Sequence, residues 1–250
     1  MLSVIIAAKN EAHNITACLA SVAFADEVIV LDSGSDDDTV KLALAAGARV
    51  IETDWPGYGP QQNRGIEAAK GDWVYSLDAD ERITPALAVE IQAAIADAEF
   101  TVFAVPRQSL FVTRFMAHSG WWPDRTRRLF KKGYAQFSNH EIHASLVTDE
   151  RVGQLHAPMI HYSFRDYHGV VEKMNRYSTG SAHDLYARGK RSSLAKAIGH
   201  GLWAFIRTYL LQAGFLDGQA GLILAIANAE GTYYKYLKLW ELQNPPQFHE

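Results

Sequence analysis

Apolar runs and amphipathic stretches alternate along the first hundred residues. Leu2–Ala8 is a strand-length apolar run of the kind that a parallel sheet buries on both faces. Asn14 is placed to cap a helix over 15–22. "EVIVLD" (27–32) reads as a second strand, and Asp36, Asp37 and Asp38 put carboxylates at the start of a helix reaching Ala46, which Gly47 closes. A short strand over 48–52, a helix over 60–70 and a strand over 72–78 follow, and Pro85 opens a helix to about residue 98. Strand and helix in repeated alternation predict an α/β fold around a parallel sheet with right-handed crossovers.

From 100 to about 165 the pattern is irregular and strand-like. Beyond Asp166 it is helical, with breaks at Gly189 and near Gly214–Gly218 and a Pro-rich tail, "QNPPQFHE". The expected division is a catalytic domain over 1–165 and a helical region over 166–250. Ligands of open parallel sheets bind beyond the carboxyl ends of the strands. Those ends carry Lys9, Asn10 and Glu11 after strand one, Asp32 to Ser35 after strand two, and Asp78, Asp80 and Glu81 after strand four. The last cluster, in "YSLDADERIT", crowds like charges against an apolar strand, an arrangement that requires a balancing cation.

Composition narrows the choice. Hydrophobic residues make up 48% of the 250 and charged residues 21%, with a net charge of −4, so nothing global points to nucleic acid. The single cysteine, Cys18, excludes an internal disulfide framework and is expected to be a buried, inert thiol. The N-terminal apolar run ends in Lys9, Asn10 and Glu11 and lacks the layout of an export signal, so a cytoplasmic protein is expected. No run approaches the roughly 18 apolar residues of a spanning helix.

No G-x-G-x-x-G follows strand one and no G-x-x-x-x-G-K-[ST] occurs, which disfavours a dinucleotide fold and a P-loop. Asp78-Ala79-Asp80 offers instead the hard oxygen donors that suit Mg2+ or Mn2+ bridging to a diphosphate. An EF-hand is excluded, because Ile83 and Val89 stand where its glycine and final glutamate belong.

"VIIAAKNEAHNI", "VIVLDSGSDDDT" and "GDWVYSLDADE", in this order and spacing, resemble glycosyltransferase family 2. The resemblance implies a GT-A fold, a mostly parallel nucleotide-binding sheet flanked by helices, and inverting, metal-dependent transfer from a nucleotide sugar. It implies that Asp32 binds the uracil base, with Ala8 and Glu11 lining the same pocket. Asp78 then faces the ribose or the metal, with Ala79 beside it, and Asp80 is the direct metal ligand. Gln62 and Arg64 in "QQNRG" resemble a nucleotide-side contact, and Arg128 in "RRLF" resembles a residue facing the diphosphate or acceptor. His161 in "MIHYSF" is a candidate third metal ligand, a diphosphate contact or a hydrogen-bonded core histidine. Glu141 in "SNHEIH" stands where the family places its catalytic base. His140 and His143 are three apart, so no zinc-peptidase helix is indicated. Trp121 and Trp122 are candidates for stacking on a sugar face.

Between Leu185 and Leu216 there is no Asp or Glu, while Arg188, Lys190, Arg191, Lys196 and Arg207 are present. Leu194, Ile198, Leu202, Phe205 and Tyr209 recur at helical spacing among them. A basic apolar helix of this kind suits an anionic membrane surface, and peripheral association with the inner face of the plasma membrane is expected. The C-terminal stretch also resembles bacterial lipopolysaccharide inner-core β-glucosyltransferases. That implies a UDP-sugar donor, typically UDP-glucose, and a lipid-linked saccharide acceptor such as an inner-core heptose. Two rivals remain: a sugar nucleotidyltransferase, which would want a glycine-rich loop where this chain has "AAKNEAHN", and a non-catalytic saccharide- or membrane-binding module.

Overall fold

The computed structural model describes residues 1–97, 99–138 and 145–245. The chain forms two compact units, one of 1–108 and 124–162, the other of 109–123 and 163 onward. Relative to the expected division near 165, the difference is the segment 109–123, which joins the C-terminal helices. Its Phe111 and Met116 are fully buried in one cluster with Val170, Ala220 and Leu224.

In the first unit, β1 (Leu2–Ala8), α1 (Ala12–Ser21), β2 (Glu27–Asp32), α2 (Thr39–Ala45), β3 (Arg49–Glu52), α3 (Tyr58–Ala68) and β4 (Trp73–Asp78) alternate as the pattern predicts. The strands β3, β2, β1 and β4 lie side by side in parallel. Val4, Ile6 and Ala8 of β1 face one layer with Ile15, Cys18 and Leu19 of α1, while Ile5 faces the other with Ile66 of α3. Burial on both faces is why β1 reads as an apolar run rather than an alternation.

After β4 come β5 (Glu81–Ile83), α4 (Pro85–Asp97), β6 (Val102–Phe111), β7 (Arg114–Phe115), β8 (Asp124–Lys131), β9 (Gln136–Phe137), β10 (Leu146–Val147), β11 (Val152–Gln154) and β12 (Met159–Phe164). The large sheet runs β3-β2-β1-β4-β8-β6-β12-β5, with β7 and β11 paired to β6. Only Ala79 and Asp80 separate β4 from β5, a link that spans no more than about 11 Å. The end of that path therefore returns to the end of β4, and the sheet curls. The antiparallel register of β12 on β5 sets His161 opposite Glu81, one residue from Asp80.

Two helix starts differ from the sequence expectation. Helix α1 begins at Ala12, and Asn14 lies buried inside it, its side chain and carbonyl accepting from Arg82 at 3.1 and 2.9 Å. Helix α2 begins at Thr39, whose N–H donates to Asp37 at 3.0 Å. The carboxylates precede that helix rather than form its first turn.

The second unit carries α5 (Tyr167–Ala187), α6 (Leu194–Ile206), a π-helical turn over Arg207–Leu211 and α7 (Gly218–Gln243). Helix α6 buries its small residues, Ala197 and Gly201. A Cβ on Gly201 would stand 3.2 Å from the Ala229 carbonyl of α7, so glycine permits this close approach. The large apolar residues of α6 consequently face outward. Leu194, Ile198, Leu202 and Trp203 are exposed, as are Leu210, Leu211, Phe215 and Leu216 of the following corner. Buried Asp217 fixes the corner by accepting from the N–H groups of Ala117 and His118 at 3.1 and 3.0 Å.

Candidate active site

The loops after β1 and β2 form one wall of the site. Asn10, at φ 57°, donates from its N–H to Ser35 Oγ at 2.9 Å and accepts the Asp36 N–H at 2.8 Å. The Glu11 N–H donates to Thr39 Oγ1 at 2.8 Å, and its carboxylate accepts from Asn14 at 2.7 Å. Asp32 is buried at the end of β2, where it accepts the N–H groups of Gly34 and Ser35 at 3.0 and 2.9 Å and the Ser35 hydroxyl at 2.5 Å. Three bonds leave an ionised carboxylate with capacity for another donor, such as an imide N–H. Buried Ala8 belongs to the same wall, its carbonyl accepting the Ser33 N–H at 3.0 Å.

The acidic cluster after β4 finds its balancing cations in the protein. Arg128, buried on β8, donates from Nη2 to Asp78 Oδ2 at 2.7 Å and to Glu81 Oε1 at 2.6 Å. Arg107 on β6 stands 3.5 Å from the same Glu81 oxygen and pairs with Asp124 at 2.5 Å. The Tyr58 hydroxyl donates to Asp78 Oδ1 at 2.5 Å. Burial opposes ionisation of Asp78, but Arg128 and Tyr58 overcome it and hold the carboxyl below the usual range. At Glu81, fully buried, desolvation outweighs Arg128 and pushes the pKa up. Burial likewise raises the Cys18 thiol, in keeping with an inert core cysteine.

Three of the expected site residues hold partners within the protein. Arg128, expected to face the diphosphate or acceptor, sits at the centre of a buried charge network. Asp78, expected among the metal's ligands, has both carboxylate oxygens engaged by Arg128 and Tyr58. Gln62 is fully buried, its side-chain oxygen accepting from Ser76 at 3.1 Å. Its neighbour Gln61 faces the Asp32 loop instead, with Nε2 3.2 Å from Ser33 Oγ. Arg64 pairs with exposed Asp54 at 2.7 Å.

Asp80 stands apart from this network. Its carboxylate keeps 29% side-chain exposure and lies 3.3 Å from His161 Nε2. Among the described residues no cluster of three or more His, Cys, Asp or Glu side chains is disposed to hold a metal. Asp80 nevertheless offers the hard carboxylate that Mg2+ or Mn2+ takes alongside water and substrate phosphate, with the His161 imidazole beside it. Ala79 is buried between the two aspartates, and its carbonyl accepts from Arg82 at 2.9 Å. Glu141 lies outside the described residues. Trp121 stacks on Phe164 at 6.1 Å within the second unit's aromatic cluster.

The family described as Glycosyl transferase family 2 matches residues 3–147, more than half of the chain. The chain belongs to glycosyltransferase family 2. An uncharacterised glycosyltransferase of Rickettsia bellii is 30% identical over 96% of this chain and 86% of its own length. The lipopolysaccharide core biosynthesis glycosyltransferase LpsC of Rhizobium meliloti is 26% identical over 94% of this chain and 93% of its own. A crystal structure of glucosyl-3-phosphoglycerate synthase from Mycobacterium tuberculosis, in complex with Mn2+, UDP and glucosyl-3-phosphoglycerate, aligns over 44% of each chain at 30% identity and a TM-score of 0.39. That superposition is too loose for residue-by-residue comparison.

Within this glycosyltransferase Arg107, and the pairing of Arg128 with the acidic cluster, were hidden from sequence reasoning. Arg107 and Arg128 lie far along the chain from Glu81 and Asp78, and only strand register brings them together. Tyr58 carried no motif. Arg82 could have been suspected from its place beside the aspartates; it donates to the carbonyls of Ala79, Glu81 and Asn14 and ties the acidic loop to α1.

Proposed function

We propose that this glycosyltransferase transfers a sugar from a UDP-sugar, typically UDP-glucose, to a lipid-linked saccharide such as an inner-core heptose, with inversion at the transferred carbon. The observation that carries this reading is the placement of Asp32 and of the Asp80–His161 pair at the carboxyl ends of β2 and β4 of one parallel sheet. Asp32 has acceptor capacity for the uracil N–H, and Glu11 and Ala8 border the same pocket. Asp80 and His161 would hold Mg2+ or Mn2+. Such an ion, when bound, supplies electrostatic stabilisation of the diphosphate leaving group. Arg128 neutralises Asp78 and fixes the loop that presents Asp80.

Glu141 is proposed as the base. Its carboxylate takes the proton of the acceptor hydroxyl as the new bond to the sugar's anomeric carbon forms and the bond to phosphate breaks, releasing UDP. One displacement inverts the configuration and needs no covalent intermediate. The likeness to LpsC over nearly the whole of both chains supports a lipopolysaccharide-core acceptor.

A membrane-apposed acceptor also accounts for the second unit. The outward apolar stripe of α6 lies in a segment bearing Arg188, Lys190, Arg191, Lys196 and Arg207 and no acidic residue before Asp217. No single described helix is long and apolar enough to cross a membrane. Binding in the plane of an anionic surface is the reading such a face supports.

A donor screen addresses the chemistry. Purified protein is incubated with Mn2+ or Mg2+, lipo-oligosaccharide from a strain lacking it, and UDP-glucose, UDP-galactose or UDP-N-acetylglucosamine in turn. Transfer from α-linked UDP-glucose to give a β-linked product is expected. An α-linked product would overturn inversion, and failure of every UDP-sugar would overturn the donor class.

A further inference from the structure

The second unit contains a cavity of about 300 Å³ between α5 and α7, at the lower end of the range for small-ligand sites. Phe111, Trp121 and Phe164 form an aromatic cluster on one side of it, with Phe111 at 5.6 Å from Trp121 and 5.9 Å from Phe164. Met174 lines it from α5 and Leu224 from α7, while Lys173 and Lys235 stand on a wall that also carries Ser178, Ser181, Asn228 and Thr232.

Lys173 Nζ lies 4.8 Å from the Phe164 ring centroid, and Lys235 Nζ lies 4.9 Å from that of Tyr236. Among the described residues Lys235 makes no ion pair. Burial pushes its ammonium below the usual lysine range, a cost that an anion would relieve. Two cations beside an aromatic cavity match a ligand with an apolar chain and a phosphomonoester head, which carries a charge of about −1.5 to −2 at neutral pH. Helix α7 also exposes Leu222 and Ile226. We propose that the cavity takes the chain of a single-chain phosphomonoester lipid drawn from the membrane, with its head on Lys173 and Lys235. This site is independent of the transfer chemistry.

Calorimetric titration of the full-length protein with dodecyl phosphate, kept below its micellar concentration, tests the assignment. Expected is one site, bound at least tenfold more tightly than dodecyl maltoside, with inorganic phosphate giving no signal. The double substitution Lys173→Gln and Lys235→Gln should weaken dodecyl phosphate at least tenfold, while Lys235→Arg should retain it. Gly231→Met should fill the cavity and abolish binding; a Cβ there meets only the flexible Met174 side chain, at 3.1 Å, and unfolding midpoints check that the fold persists. Leu202→Glu, on the outward face, should leave the affinity unchanged. Vesicles carrying lysophosphatidic acid should compete with dodecyl phosphate. Equal affinity for the maltoside, indifference to the lysine changes, loss of binding in Leu202→Glu or no competition by the vesicles would each overturn the proposal.

Discussion

Arg128 and Asp78 form a 2.7 Å ion pair in which the guanidinium is buried and also holds Glu81. The pair gives the acidic loop its fixed shape, because removing the cation leaves Asp78 with only the Tyr58 hydroxyl and Glu81 with only the more distant Arg107, at 3.5 Å. Arg128→Met is expected to cost about 3–5 kcal/mol in urea unfolding, the range for breaking a buried charge pair from one side. Adding Glu81→Gln to that variant should recover part of the loss. A cost below about 1 kcal/mol, or no recovery, would show that the network is not structural.

Asp80 and His161 are assigned a different role from their neighbours. Asp80→Asn and His161→Gln should each leave the unfolding midpoint nearly unchanged while reducing the Mn2+ dependence of UDP binding at least tenfold. Unchanged metal dependence in both would remove them as ligands.

Glu141→Gln separates chemistry from binding. Transfer should fall by about 10²–10⁴ in kcat, the usual worth of a general base, with UDP affinity preserved. Retained turnover would place the base elsewhere.

The outward face of α6 and the basic residues around it predict binding to vesicles containing phosphatidylglycerol. Each basic residue contributes roughly 1 kcal/mol near an anionic surface, so Lys190→Glu with Arg191→Glu should weaken sedimentation with vesicles by about 30-fold or more. Leu202→Glu should weaken it by removing apolar insertion. No change in either variant would favour another partner for this face.

Glu27 supplies a pH-dependent contribution far from the site. Burial alone would raise its pKa, but the Lys70 N–H at 2.9 Å and the Ser3 hydroxyl at 2.6 Å hold it below the usual value. The folded protein then binds fewer protons here than the unfolded chain. The stabilisation is present above about pH 4.3 and is lost as pH falls through the folded pKa. In Glu27→Gln the acid limb of the stability curve should flatten below about pH 4.3, read by urea unfolding at several pH values; an unaltered limb would contradict this.

Much of this architecture was legible because parallel strands buried on both faces leave apolar runs, as in Leu2–Ala8 and "EVIVLD". The break at Gly189, where φ is 68°, was visible for the same local reason. Long-range register was not. Nothing near Asp78 announces Arg128, which is fifty positions away and arrives only through the β4–β8 pairing. The need for a cation was readable from like charges alone, but the sequence could not say that guanidinium would meet part of it. Gln61 and Gln62 show a finer limit: both are buried, and only the placement of α3 decides that Gln61 reaches Ser33 while Gln62 reaches Ser76.

The central claim is that Asp80 and His161 hold a divalent ion that secures a uridine diphosphate at the carboxyl edge of the sheet. Calorimetric titration of UDP into the protein, in Mn2+ and then in excess chelator, measures this directly. The account predicts one UDP per chain with affinity at least tenfold lower after chelation. Equal affinity in both conditions, or no binding in either, would contradict it.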